Sequence, residues 1–360
     1  MTEDQRRAME FRNPEHIPVS VSILPAAWMK YREKMAEVTA RHPLLFGALE
    51  GKRDFDAVWT PTYAEGEHVD AWGCVWSNVH RGREAIVTGH PLPTRESVRG
   101  MKAPAVDAGL PHGFMFLRLM DLRGFEDLML DFAEEPPELS KLIGTVLEYN
   151  LGQVDRLLAS TPGGSFTGNR AARDRDRTSG VGDRIETAKE ADSASRESAS
   201  TDIVVFGDDL GMQAALPISP AKWRKHLKPC YAAIFGRARK AGLPVYFHSD
   251  GHIHEIIPDL VECGVTVINP QSRANGLDNL ARVCRGKICV DLDLDRQMFP
   301  FCTPGEADAH VREAVEKLGS PSGGLWLKAE VADDVPLPVV EAICSALEKY
   351  RGYFRGQSEA

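Results

Sequence analysis

No run of apolar residues in this chain approaches the roughly 20 needed to cross a bilayer. The N-terminus, Met1 to Arg7, lacks the charged-then-apolar pattern of a secretory signal. The protein is therefore read as soluble and cytoplasmic, with no membrane partner. Clustered Lys and Arg are also missing: the net charge is −9 and no basic block stands out. Phosphate neutralisation needs such clusters, so nucleic acid is not an expected partner. Cysteine occurs, but not in pairs. Seven are present, an odd number, and no C-x-x-C is among them. That argues against a disulfide framework and against a zinc ribbon. No G-x-G-x-x-G follows any candidate strand, which disfavours a dinucleotide-binding fold.

What is there is ordinary globular material. The 360 residues are 43% hydrophobic and 26% charged, enough to bury a large core. From Ile203 onward apolar runs alternate with helical patterns. Ile203–Phe206, Pro244–Phe247, Val265–Ile268, Ile288–Val290 and Gly324–Leu327 read as strands buried on both faces. Between them, Trp223 to Ile234, Ile253 to Leu260, Leu277 to Val283 and Ala307 to Leu318 read as helices, and Pro338–Tyr350 as a last one. Such alternation predicts a parallel α/β sheet closed into a (β/α)8 TIM barrel, a single domain over 1–360, with an open doubly wound sheet as the alternative. The aromatic- and proline-rich N-terminal third reads as loops and short helices over one barrel end, and Pro136 to about Leu158 as a long helix. Residues 161–200 are polar, with only Phe166, Val181 and Ile185 as large apolar residues, and read as a flexible insertion in a loop. A short Gly-Ser replacement of it is expected to leave the barrel intact.

In parallel α/β folds chemistry gathers at the carboxyl ends of the strands. The residues just after the apolar runs are Asp208 and Asp209, His248 and Asp250, Asn269, Asp291, Asp293 and Asp295, and Glu330. Any one Asp or Asn is explained equally well as a helix cap. A set of strand ends that all carry such groups points to a site. His248-Ser249-Asp250-Gly251-His252-Ile253-His254 is the densest cluster, with His248 directly after a strand and His252 and His254 on the helix expected to follow. A strand-end His serves as metal ligand, acid, base or oxyanion donor.

These motifs resemble the uroporphyrinogen decarboxylase superfamily. The resemblance is carried by Phe206-Gly207-Asp208-Asp209-Leu210-Gly211-Met212-Gln213, Ile218-Ser219-Pro220, Phe247-His248-Ser249-Asp250-Gly251 and Gly264-Val265 to Asn269-Pro270. Trp72-Gly73-Cys74-Val75-Trp76, His90-Pro91-Leu92, Asp293-Leu294-Asp295-Arg296-Gln297, Cys302-Thr303-Pro304 and Gly323-Gly324 through Asp334-Val335-Pro336 add to it. The resemblance implies a (β/α)8 barrel. One branch of the superfamily decarboxylates uroporphyrinogen and grips its carboxylates with an Arg-rich N-terminal segment. Here that region is Pro18 to Pro25 and has no Arg, so porphyrin decarboxylation is disfavoured. The other branch transfers methyl groups to or from a corrinoid or a thiol, with zinc held by His-x-Cys and a later Cys. On that pattern His248 falls on the His, Asp250 stands in place of the first Cys and Glu330 at or near the second. The implied metal site is His248, Asp250 and Glu330, for a divalent metal such as zinc, with a plain His248–Asp250 acid–base pair as the alternative.

The resulting expectation is a methyltransferase, a demethylase of a small O- or N-methylated compound, that delivers the methyl group to a corrinoid on a partner protein. His248, Asp208 and Asp209 are the expected catalytic residues. Gln213, Asn269, Trp72, Trp76 and Tyr246 are the expected substrate-binding ones, although ordinary packing explains the aromatics equally well. The rival expectations are a metal-free decarboxylase on a carboxylate or tetrapyrrole, and a non-catalytic corrinoid- or tetrapyrrole-binding protein.

Overall fold

A computed structural model of the chain describes residues 1–48, 53–58, 60–106, 110, 112–159 and 203–356. The segment 161–200, expected to be an insertion, lies outside them. Nine strands are described: β1 (Val19–Ile23), β2 (Gly66–Val69), β3 (Val75–Asn78), β4 (Ile86–Gly89), β5 (Val204–Gly207), β6 (Val245–Ser249), β7 (Val267–Pro270), β8 (Cys289–Asp293) and β9 (Leu325–Val331). Six of them form one parallel sheet in the order β1-β9-β8-β7-β6-β5. Helices Pro220–His226 and Lys228–Lys240, Ile257–Glu262, Leu277–Cys284 and Pro304–Leu318 connect successive strands, and Leu337–Tyr350 follows β9.

The sheet is curled into a half-barrel. Tyr246 on β6 and Trp326 on β9 are separated by two strands, yet their rings stack with centroids 6.3 Å apart. A flat sheet spaced at about 4.8 Å per strand would hold them far apart. The outer face is apolar and meets the helices: Phe206 and Phe247 lie 5.0 and 5.3 Å, ring to ring, from Phe235 of the helix Lys228–Lys240. This is the α/β, TIM-barrel-like architecture expected, with six of its strands paired among the described residues. The N-terminal third adds β2, β3 and β4, a small antiparallel sheet that its aromatic and proline content did not reveal.

Helix Glu3–Met9, capped by Thr2, closes the amino-terminal end of the half-barrel. Its Ala8 packs with Ile203, Val267, Cys289 and Trp326, and Met9 and Tyr246 border them. Gly324 donates its N–H to the Ala8 carbonyl at 2.8 Å. A Cβ on Gly324 would come within 2.4 Å of the Phe11 ring. The lumen thus has an apolar floor and opens toward the carboxyl ends of the strands.

Two expectations are corrected. The helix expected from Ile253 begins only at Ile257, next to Pro258, because proline suits a first helical turn. His252 and His254 therefore lie in the turn before it. The strands also outlast their apolar runs: β6 reaches Ser249, β7 Pro270, β8 Asp293 and β9 Val331. His248, Asn269, Asp291, Asp293, Lys328 and Glu330 are strand residues. They are polar because they face the lumen, not because the strand has ended.

Candidate active site at the carboxyl ends of the strands

Side-chain alternation puts Tyr246 and His248 of β6 on the inward face, with Asn269 in register beside His248 on β7. His248 Nδ1 lies 2.7 Å from Asn269 Oδ1. Asn269 is oriented in turn by its Nδ2, which donates to the Asp291 carbonyl at 2.6 Å. Asn269 Oδ1 is then the acceptor, and His248 carries its hydrogen on Nδ1. Nε2 is left for chemistry. It faces Asp250 Oδ1 at 3.2 Å and Asp209 Oδ1 at 3.8 Å. Asp250 Oδ1 is buried and accepts no aligned hydrogen bond among the described residues. A lone pair set against two carboxylates is repulsive, so the arrangement calls for a positive species between them, a proton or a metal cation.

The fourth member, His112, was not anticipated. It sits in the loop ahead of the helix Phe116–Arg123, where Gly113 donates to the Gly207 carbonyl at 2.8 Å and ties the loop to the end of β5. Gly207 makes the approach possible, since a Cβ there would lie 2.5 Å from His112 Nδ1. His112 Nε2 is 3.1 Å from Asp209 Oδ2, and its ring centroid is 5.5 Å from that of His248. Burial works against the charge on His112, but the Asp209 hydrogen bond and the nearby Asp208 and Glu84 outweigh it, lifting the imidazole to about 9. For Asp209 burial is likewise overcome, by His112 and His248, and its carboxyl falls to about 2. Among the described residues, His112, Asp209 and His248 are the group whose ligand atoms converge, all within 4.8 Å of one another. The one sequence signal for His112 is its setting, Pro111-His112-Gly113, which looks like any loop.

Asp250 and Glu330 are brought together differently. Arg296, in the loop after β8, donates to both carboxylates, one through each terminal nitrogen. A guanidinium holds the two acids that the sequence pairs as ligands with His248. Against the cost of its burial, Asp250 is held low by His248 and Arg296. Deeper in the lumen, burial pushes Asp291 and Asp293 upward, Asp293 to about 6.

The remaining expected residues divide. Asn269 orients His248. Tyr246 stands on the lumen floor and donates its hydroxyl to Asp291 at 2.8 Å. Gln213 is exposed and exchanges amide hydrogen bonds with Gln297. Trp72 sits edge-on to Tyr149, and Trp76 donates to Asp70; both belong to the N-terminal layer. Asp208, expected to handle substrate, lies beneath the site and is 0% exposed. It accepts the backbone N–H groups of Met115, Phe116 and Leu117 at 3.2, 2.6 and 3.0 Å and the Tyr231 hydroxyl at 2.6 Å. It caps the helix Phe116–Arg123, whose first N–H groups have no local partner.

The loops carrying Asp209 and Asp250 interlock through two glycines. A Cβ on Gly251, at φ +78°, would lie 2.1 Å from the Gly211 carbonyl oxygen, and one on Gly211 would lie 2.3 Å from the His252 nitrogen. Gly251→Ala is expected to cost about 2–4 kcal/mol, through backbone strain and overpacking together. Urea unfolding checks it, and a midpoint equal to wild type would show that the loops separate freely.

No protein-family model matches the chain, and no curated protein matches it significantly. Solved structures do. A methyltransferase from Methanosarcina mazei aligns over 96% of this chain and 98% of its own, with a TM-score of 0.56 and 16% identity. A B12-independent methionine synthase from Shewanella sp. W3-18-1 aligns over 47% of this chain and 52% of its own, with a TM-score of 0.30 and 14% identity. A dihydropteroate synthase from Xanthomonas albilineans covers 39% of this chain and 50% of its own, with a TM-score of 0.25 and 16% identity. The first is similar along nearly the whole length and supports the fold; the other two are partial. Among the described residues no helix is long and apolar enough to cross a membrane.

Proposed function

We propose that this protein is a methyltransferase that removes a methyl group from a small O- or N-methylated compound and delivers it to a corrinoid carried by a separate protein. The observation that carries the reading is His248 Nε2. It is freed by Asn269, set against Asp209 and Asp250 with His112 alongside, and placed at the open end of a half-barrel. The likeness in fold to the Methanosarcina mazei methyltransferase supports the choice of chemistry. Two imidazoles, a carboxylate and the unpartnered Asp250 oxygen suit a divalent ion such as zinc. His112, Asp209 and His248 would hold it, and a bound metal would supply Lewis acidity toward the heteroatom that loses its methyl group. Asn269 fixes the His248 ring, and Arg296 fixes Asp250. The leaving oxygen or nitrogen needs a proton. With no metal, His112 is the charged donor at neutral pH, and this complete His112–Asp209 pair favours the second reading, a metal-free lyase acting on a carboxylate.

Elemental analysis separates the two. Protein purified without chelator and offered zinc, iron, manganese and cobalt is expected to retain about one equivalent of metal. His112→Ala and Asp209→Asn are expected to lose it, and Glu330→Gln to keep it, because Glu330 is engaged by Arg296. Loss in Glu330→Gln alone would return the ligand set to His248, Asp250 and Glu330; no metal in the wild type would favour the lyase. Methyl transfer itself is read from the absorption spectrum of reduced free corrinoid mixed with enzyme and a panel of methoxy and N-methyl compounds. An unchanged spectrum across the panel would count against the methyltransferase.

A further inference from the structure

One more carboxylate meets the site, from outside the barrel sheet. Glu84 lies in the turn between β3 and β4, and that turn is fixed to the carboxyl ends of two barrel strands. Past β1, Ala26 donates its N–H to the Gly82 carbonyl at 3.1 Å, an approach so close that a Cβ on Gly82 would lie 2.8 Å from the Ala26 nitrogen. Past β9, Asp333 accepts from Arg83 at 2.9 Å. The buried amide of Asn78 donates to the carbonyls of Thr62 and Arg83, and Ala85 donates its N–H to Thr62 at 2.8 Å. Contacts on either side of Glu84 thus hold it at the mouth. Glu84 and His112 are both exposed, yet burial works against the charge on each. Groups that meet water and are crowded at once line a cleft, where a ligand arriving from solvent reaches them. The Glu84 carboxylate makes no hydrogen bond or ion pair among the described residues. Of the charges that act on it most, His112 attracts it, and Asp209, Glu330 and Asp250 repel it. His112 is already bonded to Asp209, and Arg296 is shared by Asp250 and Glu330. Glu84 is the acid left over.

We propose that Glu84 is a specificity-determining residue, and that the methyl donor is a methylated ammonium cation rather than a methyl ether or a carboxylate. Around the mouth the carboxylates of Glu84, Asp209, Asp250 and Glu330 outnumber the cationic groups, His112 and Arg296. A divalent metal on His112, Asp209 and His248 would not reverse that sign, because it would take the place of the His112 proton. Deeper in the lumen Lys328 acts on both Asp291 and Asp293 and adds no positive excess. A cation supplies the missing countercharge, a neutral ether leaves Glu84 uncompensated, and an anion is repelled. Tyr63 brings an aromatic ring to the same edge: its carbonyl accepts the Gly82 N–H at 2.9 Å, and burial, Glu84 and Glu330 together hold its hydroxyl protonated. A carboxylate beside an aromatic ring is the chemistry that recognises N-methyl cations. That this cation donates its methyl group rests on the methyltransferase reading; that the mouth selects a cation rests on the charges alone.

The test is calorimetric binding of choline, of dimethylbutanol, its neutral carbon isostere, and of dimethylbutyrate, the matching anion, to the protein as purified. Choline is expected to bind about tenfold more tightly than dimethylbutanol, and dimethylbutyrate more weakly than both. Glu84→Gln is expected to erase most of the preference for choline, and Glu84→Asp to retain part of it. Glu316→Gln, which removes the same charge from the outer helix Pro304–Leu318, is expected to leave the preference at its wild-type value. Urea unfolding of the three variants is expected to match wild type, since both positions are exposed. Equal binding of choline and dimethylbutanol, no binding of choline, tighter binding of dimethylbutyrate, or a preference that survives Glu84→Gln would overturn the proposal. A preference that depends on Glu84, without methyl transfer from any N-methyl compound, would leave the cation site standing and remove the methyltransferase. Transfer from neutral methoxy compounds, with no preference for choline, would do the reverse.

Discussion

Replacing His248 by alanine is expected to lower turnover by about a hundred- to ten-thousandfold, the range for losing a positioned acid–base group, with the unfolding midpoint close to wild type. The residue projects from β6 into an open lumen, and its ring is bound by Asn269 and faced by Asp209 and Asp250. Deleting it removes no apolar packing of the outer face, where Val245 and Phe247 meet the helices. Asn269→Ala is the companion variant. It frees the ring and the tautomer while leaving the imidazole in place, so activity should fall by a smaller factor. Wild-type turnover in His248→Ala would remove this end of the sheet as the active site.

Asp208→Ala is expected to do the opposite: to destabilise the fold by about 3–5 kcal/mol, the scale of breaking a buried charged network. Three backbone N–H groups and a hydroxyl converge on this one carboxylate at the start of the helix Phe116–Arg123. Tyr231→Phe removes a single donor and should cost only about 1–2 kcal/mol. Urea unfolding gives both values. Equal, small shifts in the two variants would mean that Asp208 does not organise the helix start, and a catalytic account of it would have to be reopened. The same helix follows the loop that holds His112, so a loss of activity in Asp208→Ala would be a positional effect.

The neighbouring residues Asp208 and Asp209 show where reading the sequence stops. Both follow Phe206-Gly207 and both are acids, yet alternation along the chain sends one under the helix Phe116–Arg123 and the other to His112 and His248. The apolar runs located β5 to β9 because their outward faces are continuous hydrophobic surface. They ended each strand too early, because the inward face turns polar near the opening while the hydrogen-bond ladder continues. His248 and Asp250 were legible as a strand-end cluster. His112 was not: it lies far from them in sequence and arrives through one backbone bond to Gly207. Arg296 was visible within a motif, but its role depends on two carboxylates from different strands reaching the same guanidinium. Trp72 and Trp76 stood out by composition alone, and composition does not say which layer a tryptophan joins.

The helix Glu3–Met9 and strand β1 have a consequence for how the chain folds. Val19 pairs with Leu327, and Ala8 rests against Trp326. Both precede β9 in the chain and meet these partners only after β9 has been made. Until then Val19 and Ile23 belong to an unpaired strand edge, and the apolar surface around Ala8 is uncovered. Long-range pairings of this kind form late, after loop closure has been overcome, and they slow folding. A growing chain would therefore carry this helix and strand as adhesive surface until β9 is made, exposed to association with other chains. Chaperone dependence and losses in overproduction are expected to trace to this delayed seam between β1, the helix Glu3–Met9 and β9, rather than to the cluster around His248.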